Sequence, residues 1–188
     1  MLIRTLYSIF YSVKHRKSLL KVLKYDSIDN VQQIPNPKPN SVLALDFDGV
    51  LAPHGYPKPV DETASWLTEL VASGRYRRVY IYSNKPTDAR KLFFAQLSSE
   101  IRFVSNQRKK PYPDGLKFIL EEEGVASSDV IMVDDRLLTG VLAAIITGTS
   151  CLYISRPLKD YRFNLVSEIF FSILRFSEVR IIKALGMI

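Results

Sequence analysis

Between residues 42 and 154, short apolar runs alternate with longer amphipathic segments. The apolar runs are rich in β-compatible side chains and predict strands at 42–46, 79–82, 101–104, 130–133 and 151–154. The segments between them have helical spacing, which predicts helices at 61–73, 87–97, 114–123 and 137–147. Three of these helices are followed by a glycine, a common helix end, at Gly74, Gly124 and Gly148. Strands that alternate with helices predict an α/β, doubly wound, Rossmann-like domain with a five-stranded parallel sheet.

Two amphipathic segments flank this alternating pattern. The first 24 residues place apolar side chains at helical spacing, at Leu2, Leu6, Ile9, Phe10, Val13 and Leu20. The tail after residue 156 does the same with Phe163, Val166, Phe170, Ile173 and Leu174. No apolar run approaches the roughly 18 residues of a membrane-spanning helix, and three prolines in "IPNPKPN" predict an extended linker. We therefore expect an N-terminal amphipathic segment (1–33), a linker (34–40), a core (41–156) and a C-terminal helical tail (157–188).

The positive charge of the chain is concentrated in these flanking segments. The whole chain has a formal net charge of +7. Residues 1–24 contain six basic and no acidic side chains, and residues 156–188 contain six basic and three acidic ones. The remaining residues carry 14 basic and 16 acidic side chains, so the core is slightly negative. This division predicts that the flanking segments, rather than the core, meet an anionic partner.

Polar side chains cluster at the predicted ends of the strands and in one loop. They form four short motifs, "DFDGV" (46–50), "YSN" (82–84), "KP" (110–111) and "VDD" (133–135). The carboxyl ends of parallel strands meet at one edge of a sheet, where ligands bind in such folds, so these side chains are expected to lie close together. Carboxylate oxygens suit Mg²⁺, and a lysine can neutralise a phosphate. One aspartate could then attack phosphorus while the second, two residues on, protonates the leaving group.

Each motif also has an ordinary structural explanation. Asp48 could belong to a turn, Ser83 could cap a helix, and Lys110 could lie in a solvated loop. Taken singly, each of these explanations is about as good as the functional one. Together they require four coincidences at one end of one sheet. We therefore favour a site that contains Asp46, Asp48, Asp135 and Asp134.

In this order and placement the four motifs resemble those of the haloacid dehalogenase-like (HAD) phosphatases, over about residues 41–156. The resemblance implies that Asp46 is the nucleophile and that Asp48 is the general acid and base. It implies a phosphate-binding set of Ser83, Asn84 and Lys110. It also implies Mg²⁺ as cofactor, with ligands among Asp46, Asp48, Asp135 and Asp134. The expected activity is Mg²⁺-dependent hydrolysis of a phosphomonoester through an aspartyl-phosphate intermediate.

The spacing of the motifs leaves no room for a cap domain. Residues 51–77 can hold a loop and one helix, and residues 85–109 can hold one helix and one strand. Mobile lids commonly close such sites around a small substrate, so a capless site suits a phosphate on a large one. The candidates are a lipid headgroup at a membrane, a nucleic-acid 3′-phosphate and a phosphoprotein. Lys85 and Arg136 are candidates for additional phosphate contacts.

The sequence is most similar to the small capless phosphatidylglycerophosphate phosphatases, which act in phosphatidylglycerol and cardiolipin synthesis. The fourth motif of that family reads Gly-Asp-Gln…Thr-Asp, whereas this chain reads "DDRLLTG" at 134–140. Asp134 therefore replaces the glycine, Arg136 replaces the glutamine, and Gly140 replaces the last aspartate. Asp134 could compensate for Gly140 by supplying a carboxylate from the start of the motif.

Amphipathic helices with interspersed cations bind the surface of anionic membranes. We therefore expect the flanking segments to bind an anionic phospholipid membrane and the site to take a lipid phosphate. The expected location is cytoplasmic, peripheral on the inner face of the membrane. An N-terminus with Ser, Arg and Lys but no acids also fits a mitochondrial transit peptide, which makes the matrix face of the inner membrane the alternative.

Three further alternatives stay open at this stage. The tail helix could pack its apolar face on the sheet as part of the core. The protein could be a non-catalytic membrane adaptor rather than an enzyme. A nucleic-acid substrate would suit a basic protein, but the slightly negative core argues against a nucleic-acid partner. The sequence does not define the oligomeric state.

Overall fold

The computed structural model describes residues 2–186, and its centre is a parallel β-sheet. Six strands are paired in the order β1-β6-β5-β2-β3-β4. They are β1 (Ser27–Ile28), β2 (Val42–Leu45), β3 (Arg78–Ile81), β4 (Ile101–Phe103), β5 (Val130–Asp134) and β6 (Ser150–Ile154). The predicted α/β fold and its five strands are confirmed. The sixth strand, β1, was not predicted because it is only two residues long and precedes the proline-rich segment.

Seven α-helices lie within the described residues, four of them between the strands. They are α1 (Leu2–Lys14), α2 (Arg16–Tyr25), α3 (Asp61–Ala72), α4 (Asp88–Leu97), α5 (Asp114–Glu123), α6 (Leu142–Thr147) and α7 (Leu165–Leu185). The helix predicted at 137–147 begins with a wide π-helical turn, Leu137–Val141, before α6. The segment between β2 and β3 contains α3 alone, and the segment between β3 and α5 contains α4 and β4.

The central strand β2 positions the candidate site. All four of its residues are buried, and successive side chains enter two different apolar clusters, one on each face of the sheet. Its neighbours are β3 on one side and β5 on the other, so the strand order reverses between β2 and β5. Leu45 lies opposite Val133, and the Asp46 amide donates to the Val133 carbonyl at 2.9 Å. The aspartates that follow both strands therefore meet at the topological switch point, where such folds bind ligands.

The two flanking segments pack against the β6 side of this domain. Leu19 and Val22 of α2 lie in one buried cluster with Ile182 of α7 and with Leu142 and Tyr153. The short strand β1, which precedes the linker, extends the sheet beyond β6. Among the described helices, none combines the length and the apolar character that crossing a membrane requires.

Helix α7 is oriented with charged side chains inward and apolar side chains outward. Glu168, Arg175 and Glu178 are buried, whereas Val166 is 79% exposed and Phe176 62% exposed. Helix α1 likewise exposes most of its apolar residues. We call the exposed apolar residues of both helices and the turn before α7 the apolar rim: Leu2, Ile3, Leu6, Ile9, Phe10, Val13, Phe163, Leu165, Val166, Ile169, Phe170, Ile173, Phe176 and Ile181. This is the reverse of a surface helix in water, which turns its apolar face to the core.

Candidate active site

Five of the seven predicted site residues line one small cleft at the carboxyl ends of β2, β3 and β5. Its volume is about 70 Å³, and its walls contain Asp46, Asp48, Asn84, Lys110 and Asp135. Five residues that do not belong to the assigned catalytic, phosphate-binding or metal-binding set complete the lining, namely His54, Lys85, Arg136, Thr139 and Phe171. Asp134 lies beneath the cleft with no exposed surface. Ser83 lines a neighbouring cavity, and its hydroxyl accepts a hydrogen bond from the Lys85 amide.

Lys110 links the first and fourth motifs. Its ammonium lies 2.9 Å from Asp46 Oδ1 and 2.6 Å from Asp134 Oδ2, and its side chain is 1% exposed. Burial opposes the charge, but the two carboxylates more than compensate and raise the pKa of Lys110. The side chain of Asn84 forms two hydrogen bonds with the backbone of Lys110. Its amide oxygen accepts from the Lys110 N–H at 2.8 Å, and its amide nitrogen donates to the Lys110 carbonyl at 3.4 Å. Asn84 therefore positions Lys110, and its assignment to phosphate binding stays a prediction, as does that of Ser83.

Burial dominates the acid–base behaviour of the cluster. It raises the pKa of Asp46 to about 8, partly offset by the Lys110 charge. It raises the pKa of Asp135 to about 7, partly offset by the Arg175 charge. Without a further cation, these two carboxyls therefore retain protons near neutral pH.

Asp48 has a different environment from the other three aspartates. Arg90 donates to both of its carboxylate oxygens, at 2.8 and 3.0 Å, and the Gly55 amide donates at 3.1 Å. Burial acts to raise its pKa, but the hydrogen bonds and charge of Arg90 hold the pKa below the usual value. The carboxylate of Asp48 is thus ionised and lies apart from the acidic cluster of Asp46, Asp134 and Asp135. This state suits a proton acceptor, while proton donation would require the Arg90 contact to loosen; the assignment of Asp48 as a metal ligand stays a prediction.

The replacements in the fourth motif compensate each other in space. A Cβ atom at Gly140 would lie 2.0 Å from Asp134 Oδ2 and 2.5 Å from its Cγ, so the missing side chain at 140 makes room for the carboxylate at 134. The other oxygen of Asp134 accepts from the Arg136 amide at 2.8 Å. A carboxylate therefore occupies the space beside residue 140, but it comes from position 134.

Sequence reasoning missed several residues that complete the site. Arg90 is buried on α4, where its guanidinium also stacks 3.8 Å from the centre of the Phe47 ring. From α7, Phe171 stacks on His54 with 3.9 Å between ring centroids. Desolvation lowers the pKa of His54 to about 3, so this histidine is neutral. The signal available in the sequence of α7 was that three of its charged residues, Glu168, Arg175 and Glu178, share one face of the helix.

The residues present fit a divalent cation. The carboxylates of Asp46, Asp134 and Asp135 each offer an oxygen, and these oxygens lie within 4.8 Å of one another. Asp135 Oδ1 is buried and has no hydrogen-bond partner, although the other oxygen is bound. A hard divalent cation matches the oxygen donors, and Asp46 with Asp135 would hold it.

Comparisons with known proteins identify the family of the fold. A family model described as "Hydrolase: haloacid dehalogenase-like hydrolase" matches residues 13–146. Among solved structures, an uncharacterized protein from Listeria monocytogenes serotype 4b is 14% identical, with 60% of this chain and 77% of that chain covered and a TM-score of 0.48. An uncharacterized protein from Corynebacterium glutamicum is 21% identical, with coverages of 72% and 96% and a TM-score of 0.46. A HAD-superfamily hydrolase, subfamily IA, variant 1, from Geobacter sulfurreducens is 16% identical, with coverages of 60% and 88% and a TM-score of 0.42. A search of the curated proteins found no match.

Proposed function

The chain belongs to the haloacid dehalogenase-like hydrolases, and from this premise we propose that it is a Mg²⁺-dependent phosphomonoester hydrolase that acts on a lipid phosphate at a membrane surface. The family match confirms the resemblance of the four motifs at the level of the hydrolase superfamily. The proposal depends above all on Asp46, which lies in an open cleft beside Lys110 and two further carboxylates.

Asp46 is placed to act as the nucleophile. In the first step, one of its oxygens bonds to phosphorus while the bond from phosphorus to the leaving oxygen breaks, and that oxygen takes a proton from solvent, which gives an aspartyl-phosphate and an alcohol. In the second step, water attacks the phosphorus and Asp48 accepts its proton, which releases phosphate and restores Asp46. Arg90 keeps Asp48 ionised for this step. When bound, Mg²⁺ would offset the negative charge of the phosphate and of the carboxylates.

Of the helices that carry the apolar rim, α7 lines the cleft and α1 packs on segments next to it, and this supports a lipid substrate. On α1, Tyr7 packs against Tyr112, two residues after Lys110, with 4.5 Å between ring centroids. The Ser8 hydroxyl donates to the Leu138 carbonyl at 3.0 Å, in the turn that follows the fourth motif. On α7, Phe171 forms part of the cleft wall. A surface that received the apolar rim would therefore lie close to the opening of the cleft.

Basic side chains next to the apolar rim favour an anionic lipid surface over a neutral one. Helices α1 and α2 contain basic residues without any acidic residue, at Arg4, Lys14, Arg16, Lys17, Lys21 and Lys24. Each basic residue near such a surface contributes about 1 kcal/mol to binding. Among lipid phosphates we propose phosphatidylglycerophosphate, because the four motifs resemble phosphatases of that lipid. The corresponding location is the inner, cytoplasmic face of the membrane, with the matrix face of the inner mitochondrial membrane as the alternative.

A panel of phosphorylated substrates tests the proposal. Phosphate release is measured with Mg²⁺ and with EDTA on phosphatidylglycerophosphate in vesicles, a 3′-phosphorylated oligonucleotide, a phosphopeptide and a sugar phosphate. We expect Mg²⁺-dependent turnover that is highest on the lipid. Faster turnover on the oligonucleotide or the phosphopeptide would refute the lipid substrate, and no release from any member would favour the adaptor.

Two variants separate the nucleophile from general effects on charge. Asp46→Asn should lower turnover by at least about 10³-fold, whereas Asp88→Asn, which alters a fully exposed carboxylate on α4, should not. Retained turnover in Asp46→Asn would refute the nucleophile assignment. Flotation with anionic and neutral vesicles tests membrane binding, and equal binding to both would argue against the role of the basic helices.

A further inference from the structure

Helix α7 buries three charged side chains against the site, and Ile182 is the one apolar residue among its buried side chains. Glu168, Arg175 and Glu178 are each no more than 6% exposed. Burying a charge is costly unless the charge is paired. Arg175 and Glu178 form ion pairs with two residues that line the cleft, Asp135 and Arg136. Glu168 instead accepts hydrogen bonds from the backbone amides of His54 and Asp160. The inner face of α7 is therefore complementary to the site and would be unfavourable against an ordinary apolar core.

The contact between Arg175 and Asp135 has a fixed geometry. The Arg175 Nε donates to Asp135 Oδ2 at 2.5 Å, and both residues are buried. The loop after β2 closes over the pair at Gly49, where a Cβ atom would lie 2.2 Å from Asp135 Oδ2 and 3.0 Å from Arg175 Nη2. The Gly49 backbone therefore lies directly against both side chains, and only glycine fits there. With Oδ2 bound in this way, Oδ1 has no hydrogen-bond partner, and Asp135 is one of the three clustered carboxylates.

We propose that Arg175 is a positioning residue for the cation site: by binding one oxygen of Asp135, it presents the other oxygen to a divalent cation. Helix α7 is then part of the catalytic centre and not a separable tail. The inference rests on the proposed function only in that the site uses a divalent cation; it does not depend on the substrate. Hydrogen-bond partners of ligating groups are commonly worth about 10–100-fold in metal affinity, and we expect an effect of this size.

The experiment measures the affinity of the full chain for Mn²⁺, from the free-ion signal in electron paramagnetic resonance, without any substrate. We expect Arg175→Met to weaken Mn²⁺ binding at least about tenfold. Arg175→Lys keeps a charged donor and should bind Mn²⁺ with an affinity between that of Arg175→Met and that of the wild type. Arg180→Met is the matched control, since Arg180 is exposed on the same helix and stacks only on Phe176 among the contacts described for it. It should leave the affinity unchanged.

Thermal unfolding in EDTA accompanies the titration, because removal of a buried charge partner destabilises a protein. If Arg175→Met does not fold, the comparison of Arg175→Lys with the wild type decides, and equal Mn²⁺ affinities there would overturn the proposal. Folded Arg175→Met that binds Mn²⁺ as tightly as the wild type, or more tightly, would also overturn it. So would a wild-type chain that binds no Mn²⁺. Weaker Mn²⁺ binding in Arg175→Met would support the role of Arg175 even if the protein hydrolysed no lipid phosphate. The two proposals can therefore fail independently of each other.

Discussion

The contact between Gly140 and Asp134 predicts a strong energetic coupling between two positions of the fourth motif. Gly140 does not have a left-handed backbone conformation, so Gly140→Ala is not opposed by the backbone. The new methyl group would instead lie 2.0 Å from Asp134 Oδ2, 2.5 Å from Cγ and 2.7 Å from Cβ. Asp134 cannot swing aside, because it is completely buried and its oxygens bind Lys110 and the Arg136 amide.

The expected cost follows from two opposing effects. Overpacking of this severity destabilises by up to about 3 kcal/mol, while alanine in place of glycine in a helical turn returns up to about 1 kcal/mol. Gly140→Ala should therefore lower the free energy of unfolding by about 2 kcal/mol, or the midpoint of thermal unfolding by roughly 4–8 °C for a chain of this size. In the Asp134→Ala background the clash is absent, and the same substitution should stabilise by up to about 1 kcal/mol.

Urea unfolding of the four proteins of this cycle, followed by circular dichroism in EDTA, gives the coupling energy directly. We expect about 3 kcal/mol, the upper end of the range for residues in contact. If Gly140→Ala cost the same in both backgrounds to within about 0.5 kcal/mol, the two residues would be independent. The explanation of the altered motif would then be refuted.

Three further predictions follow from the charges and the surface. The folded-state pKa values of Asp46 and Asp135, about 8 and about 7, lie above the unfolded value of 3.8. Between those values the folded state holds protons that the unfolded state has lost, so these two groups should make the metal-free protein progressively less stable as the pH rises from about 4 to about 8. Thermal unfolding in EDTA measures this, and a rise in stability between about pH 6 and about pH 8 would contradict it. Arg90→Met should raise the pKa of Asp48 and move the acidic limb of the pH profile of kcat/KM to higher pH; an unchanged limb would exclude Asp48 as the titrating base. Ile173→Glu, in the apolar rim, should weaken flotation with anionic vesicles with little loss of stability. Leu92 on α4 is equally exposed, at 59%, and Leu92→Glu should leave flotation unchanged. Equal effects of the two substitutions would show that the apolar rim does not bind the membrane.

The features that could be predicted from the sequence are those set by residues close together along the chain. Strands β2 to β6 appear as short apolar runs, and the aspartates appear at their ends because a parallel sheet brings those ends to one edge. Arg90 and Arg175 were not predictable, since their carboxylate partners lie 42 and 40 residues away along the chain. Periodicity also predicted two faces for α7 but not which face is inside, because an apolar stripe can meet either a protein core or a lipid surface.

The distance along the chain between Asp135 and Arg175 has a consequence for biosynthesis. Proteins are synthesised from the N-terminus at about 5–20 residues per second, so the 40 residues from Asp135 to its partner take about 2–8 s to make. During that interval the nascent sheet can form around β2 and β5 while the buried aspartate still lacks its guanidinium. Gly49 can close over the pair only once α7 has docked. The cation site is therefore completed only after α7 has been made, by the helix that also carries much of the apolar rim.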